Sequence, residues 1–173
     1  QDFRNNDSGI FLYIWEQTYN GNEPFGMNFF NTSTDYLSLS VDSAGWSGGG
    51  ICLTDNGNEW QSAEALRAAI VNNPDNYYLH LAIKSTDNYS HCFSVFGYQS
   101  TPFVLGSQSV YDGPVYADFP RDGEWHDFYI PLSDYADTLS TMTFTAGDNL
   151  FCFLTEGVAG AVLNIDAVYI CDA

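Results

Sequence analysis

The chain has 173 residues, of which 22 are acidic and 4 basic, giving a formal charge of −18. That length fits one domain with its own core, and so negative a balance repels nucleic-acid backbones and anionic lipid surfaces, leaving neutral ligands or cations as partners. Aromatic residues reach 17%, which suits pleated strands and flat ligands, and no apolar run is long enough for membrane insertion.

The chain opens Gln1-Asp2-Phe3 with neither initiator Met nor leader, as expected of a mature, exported chain whose signal segment has been removed. Ile10 to Trp15 is apolar throughout and predicts a central strand, and Phe25 to Phe30 predicts another. Tyr36 to Val41 alternates strictly, with Leu37, Leu39 and Val41 on one face. The run Gly45-Trp46-Ser47-Gly48-Gly49-Gly50 leads into a strand through Thr54. Its glycines predict close backbone approach or a bulge, because no Lys follows in the position a phosphate cradle requires.

Ser62 to Val71 predicts one short helix, with Ser62 as N-cap, Glu64 early and Leu66, Ala69 and Ile70 on one face; Asn72 to Asn76 ends it. In Tyr77 to Lys84, Leu79, Leu81 and Ile83 face inward and Tyr78, His80 and Lys84 outward. Strands at His91 to Phe96, Phe103 to Leu105, Trp125 to Ile130, Asn149 to Leu154 and Val162 to Ile170 complete a set of about ten. Many short strands, one helix and no alternation of strand with helix predict an all-β fold, a two-sheet antiparallel sandwich formed by residues 1–173 as one domain. The four cysteines, Cys52, Cys92, Cys152 and Cys171, form no Cys-x-x-Cys pair, which argues against a zinc knuckle or a thioredoxin-type site; buried thiols and one or two disulfides both fit.

Several positions carry chemistry on their residue types alone. Trp60, in the polar segment before the helix, is a candidate sugar platform or a helix staple. The outward row Tyr78, His80 and Lys84 offers a ring, a donor–acceptor and a cation, the mixture that pyranose faces and hydroxyls require. A loop rim of Tyr98, Tyr111, Tyr116 and Tyr135 with Arg121 and Asn88 is the other candidate surface. Trp15, Trp46 and Trp125 are read as packing residues, and His80, His91 and His126 fall at no metal-ligand spacing. No Gly-x-Ser-x-Gly elbow or paired-carboxylate pattern marks the chain as an enzyme.

Trp125-His126-Asp127-Phe128-Tyr129-Ile130-Pro131-Leu132 and the closing Ile165-Asp166-Ala167-Val168-Tyr169 resemble the last strands of galactose-binding-like β-jelly rolls that serve as carbohydrate-binding modules. The segments Leu12 to Tyr19, Ala44 to Gly50 and Tyr77 to Asp87 extend the resemblance to modules of exported surface glycan-binding proteins of gut anaerobes. The resemblance implies a jelly roll, secretion or cell-surface display, non-catalytic binding of a neutral poly- or oligosaccharide, and other domains of a longer exported protein as partners. It also implies a structural calcium at Asp166, with Glu16 as the facing carboxylate and Asn20 or Asn22 adding oxygens. An exported adhesion domain that binds protein and a jelly-roll glycosidase or lyase stand as alternatives.

Overall fold

The structure, a computed structural model, describes residues 10–15, 18–20, 36–41, 43–45, 47–53, 58–97, 102–154 and 158–172. Eleven strands run in chain order: β1 Ile10–Ile14, β2 Thr18–Asn20, β3 Leu37–Val41, β4 Gly49–Leu53, β5 Tyr77–Lys84, β6 His91–Val95, β7 Phe103–Leu105, β8 Val115–Ala117, β9 His126–Pro131, β10 Asn149–Leu154 and β11 Val162–Asp172. They form a six-stranded sheet in the order β1-β4-β10-β6-β7-β8 and a five-stranded sheet in the order β2-β3-β11-β5-β9. The result is an all-β sandwich. Every described pairing of named strands is antiparallel except β7 with β8, which is parallel.

Alternation built the core as expected. Leu37, Leu39, Leu79, Leu81, Ile83 and Ile165 of the five-stranded sheet meet Leu53, Phe93, Val95, Phe103, Phe151 and Phe153 of the other. Phe93 stacks on Phe103 and on Phe151, with ring centroids 5.4 and 5.9 Å apart. Each such side chain contributes on the order of 1.5–3 kcal/mol when removed from water. Two glycines explain the close approach of β10: a methyl group on Gly48, which has φ +131°, would strike Phe153 O, and one on Gly50 would strike Asn149 Oδ1.

Three expectations are corrected. Ile10–Ile14, expected to be central, pairs with β4 alone and stands at the end of its sheet among the described residues; Trp15, which follows it, is packed against a cluster on the outside of the sheet. The helix α1 spans Glu59–Asn72 and begins after Asn58, three residues before the predicted start, so Ser62 is internal and its hydroxyl donates back to Asn58 O. Glu59, Trp60 and Gln61 carry no apolar period, which is why the first turn escaped the pattern. A second short helix, α2 at Ala136–Ser140, was not foreseen. Arg67 of α1 is buried, clasps Glu64 through two hydrogen bonds and donates to Leu139 O of α2, locking the helices together. The expected strand at Phe25 to Phe30 and the expected packing residue Trp46 lie outside the described residues.

All four cysteines are free thiols. Cys92 lies with Val104 and Leu154 on the outside of the six-stranded sheet, under Trp15, Val110 and Tyr111. Burial pushes the Cys52 thiol up to about 11 and Cys92 and Cys152 to about 12.

Candidate functional site

Of the residues singled out from sequence, Tyr78, His80 and Lys84 share the outer face of β5, as alternation required. The neighbouring strands decide what surrounds them. On β9, Tyr129 stands opposite His80 and Asp127 opposite Ala82. On β11, Asp166 stands opposite Ala82 and Tyr169 opposite His80, one residue out of step.

That extra residue is a β-bulge centred on Ala167, which takes φ +50°, a left-handed conformation that is rare outside glycine and asparagine. Asp166 holds the bulge by accepting the Ala167 N–H at Oδ1, 2.7 Å away. The consequence is a change of face. Strict alternation from the buried Ile165 would send Val168 and Ile170 to solvent and Tyr169 inward. Instead Val168 and Ile170 pack against the core while Tyr169 is exposed.

His80 is the hub of the face. Its ring lies between Tyr129 and Tyr169, with centroids 4.6 and 4.5 Å away. The imidazole is 4% exposed, whereas the two flanking rings are 58% and 49% exposed. Nδ1 lies 2.9 Å from Ala167 O and Nε2 2.9 Å from Asp127 Oδ1. The two ring nitrogens thus bridge the β11 backbone and the β9 carboxylate. The buried ring thereby fixes the bulge carbonyl, the Asp127 carboxylate and two tyrosines in one rigid group.

A second aromatic group sits at the other end of β5. The Lys84 ammonium lies 4.6 Å from the Tyr36 ring centroid and 4.7 Å from that of Trp125, and these two rings meet edge to face at 5.1 Å. The cation is held by aromatic faces, and the Trp125 ring is 36% exposed. The assembled face therefore presents rings at both ends, with Asp127 and Asp166 between them.

The other sequence candidates lie elsewhere. Trp60 packs against the core from the first turn of α1. Arg121 is tied to Tyr89 O and Phe119 O at 2.7 and 2.8 Å and to Asp118, with its guanidinium 3.5 Å from the Phe119 ring centroid, so it braces two loops. Tyr98 and Glu16 lie outside the described residues. Tyr135 packs on the core, where burial first and the neighbouring Asp134 second raise its hydroxyl well above the usual phenol range, and Tyr111 packs on the outer cluster. Asp166, the described half of the expected calcium pair, already spends Oδ1 on the bulge. Among the described residues no three His, Cys, Asp or Glu side chains converge on a metal-sized space.

Sequence reasoning missed Tyr129, Asp127, Trp125, Tyr36 and Tyr169 as members of the face. The period-two pattern His126-Asp127-Phe128-Tyr129-Ile130 would have placed Asp127 and Tyr129 outward with the β5 row. A cavity of about 140 Å³ lies between the sheets, lined by Ile51, Leu66, Leu79, Val95, Phe151 and Val168 and bordered by Tyr169 of the face. Its apolar walls would leave sugar hydroxyls unsatisfied. Among the described residues no helix is long and apolar enough to cross a membrane. No protein-family model, curated protein or solved structure matches this chain.

Proposed function

We propose that this protein is a non-catalytic binding module for a neutral poly- or oligosaccharide, which it holds on the outer face of the five-stranded sheet. The observation that carries the reading is the pair of half-exposed tyrosines clamped on either side of the buried His80. Fixed rings supply flat apolar surface to pyranose C–H faces without the entropy of ordering mobile side chains, and Asp127 beside them accepts hydroxyl hydrogen bonds. The acidic chain surface favours neutral over anionic polymers. The likeness of the Trp125 and Asp166 segments to jelly-roll carbohydrate-binding modules supports the same reading, and with it a jelly-roll topology and an exported, surface setting. Calcium is not required by it, since a backbone N–H already orders Asp166.

Asp127 and Asp166 lie open to solvent. A glycosidase sets two carboxylates on the scissile bond, whereas Asp127 and Asp166 each commit an oxygen to holding the face together, which is why binding without hydrolysis is the preferred reading. The test is migration through gels containing cellulose derivatives, mannan, xylan or arabinogalactan. The expected result is retardation by at least one polymer, lost in a Tyr129→Ala/Tyr169→Ala variant by about tenfold or more in affinity. Absence of retardation by every polymer would discard the reading in favour of a protein-binding adhesion domain. Release of reducing sugar would revive the glycosidase.

A further inference from the structure

Three of the outward positions of β5 define a line. His80, Ala82 and Lys84 follow one another at two-residue steps, about 6.7 Å each, so the backbone positions of His80 and Lys84, the two residues around which the aromatic groups gather, lie roughly 13 Å apart. One stacked ring contact extends about 4.5–7 Å between centroids, and a single pyranose therefore reaches only one group. Between them stands Ala82, the smallest side chain of the row, itself buried among its neighbours. Asp127 and Asp166 stand on either side of it on flanking strands, whose backbones are about 10 Å apart across β5. Each carboxylate has one oxygen anchored, Asp127 by the His80 ring and Asp166 by the Ala167 N–H. Both are thereby oriented as acceptors for hydroxyls on the two edges of a ring lying over Ala82.

We infer that the ligand is an unbranched neutral glycan lying along β5, with three successive rings. The first seats on Tyr129 and Tyr169, the second between Asp127 and Asp166, the third on Trp125 and Tyr36. This inference rests on the glycan-binding reading and adds chain length, direction and linearity to it. Anionic chains are disfavoured at the middle position, where two carboxylates would face a third, and the Lys84 ammonium is covered by its two rings.

The experiment is calorimetric titration of the whole chain with size-fractionated oligomers of one to six rings from cellulose, mannan, xylan and linear galactan, beside the parent polymers. Affinity should rise by about tenfold or more from one ring to three and change little beyond four. Trp125→Ala should flatten that rise while Trp125→Phe keeps it, and Asp127→Asn with Asp166→Asn should weaken three-ring binding without changing the circular dichroism of the fold. Binding that is independent of length, unaffected by Trp125→Ala, strongest for branched or uronate oligomers, or confined to the polymers overturns the three-ring arrangement and leaves the glycan reading standing. Failure of all oligomers and all polymers to bind overturns both.

Discussion

On the outside of the six-stranded sheet, Cys92, Val104 and Leu154 are sealed beneath Trp15, Val110 and Tyr111. On the outside of the five-stranded sheet, Tyr129 and Tyr169 stand half in solvent around a buried histidine. Both faces are rich in side chains that prefer to leave water, and they differ in whether the chain supplies a cover. The covered face behaves as a second core, where burial drives its thiols to about 11–12. The uncovered face has one oxygen of Asp127 and one of Asp166 anchored internally and its tyrosine rings half in solvent, which is how a surface is prepared for a partner from outside the chain.

The contrast is tested first by paired truncations. Leu154→Ala on the covered face should cost about 2–5 kcal/mol in denaturant unfolding. Tyr169→Ala on the open face should cost under about 1 kcal/mol. Equal losses would mean that the open face is structural.

Next comes the loop that carries the chain from one sheet to the other. Asp87 accepts the His91 ring, the Val162 N–H and the Tyr89 N–H, joining β6 to β11. Burial alone would raise its carboxyl, but the hydrogen bond and charge of His91, with the two backbone donors, outweigh that and hold it below the usual range. Such a group contributes stability that is complete above the ordinary carboxylate value of about 4 and is lost as pH falls through the lower folded value. Asp87→Asn should therefore lose about 1–3 kcal/mol near neutral pH, and its deficit against the parent should shrink as pH drops below about 4. A deficit that stays constant across that window in acid-unfolding curves would contradict this account.

The bulge gives a smaller effect. Ala167→Val places a β-branched residue at positive φ and should cost about 1–2 kcal/mol, while Ala167→Gly should stay within about 1 kcal/mol of the parent. Only the valine variant should lose the near-ultraviolet dichroism of the ordered tyrosines.

Smallest in energy is the thiol pattern. Cys171, half-buried on the open sheet, should take up an alkylating reagent first, and Cys52, Cys92 and Cys152 should label only on unfolding. Rapid labelling of Cys92 would show that its cover opens.

How legible was the face? The Tyr77 to Lys84 run placed Tyr78, His80 and Lys84 correctly outward because one side of β5 is fully buried and alternation leaves no choice. Asp127 and Tyr129 were legible by the same rule. Tyr169 was not, since a bulge inverts the pattern after Asp166 and nothing in Asp166-Ala167-Val168 announces it. Trp60 and Arg121 suggested a site by residue type and polar context, but the core and two loop carbonyls claim them.

The sequence by itself determined the all-β class, the buried rows of β3 and β5 and a charge that disfavours polyanions, because these follow from local periodicity and counting. Tertiary structure decided which strands lie beside β5, in what register, and therefore which rings flank His80 and Lys84. Register is a long-range property set by sheet pairing and by one left-handed residue, so no local pattern contains it.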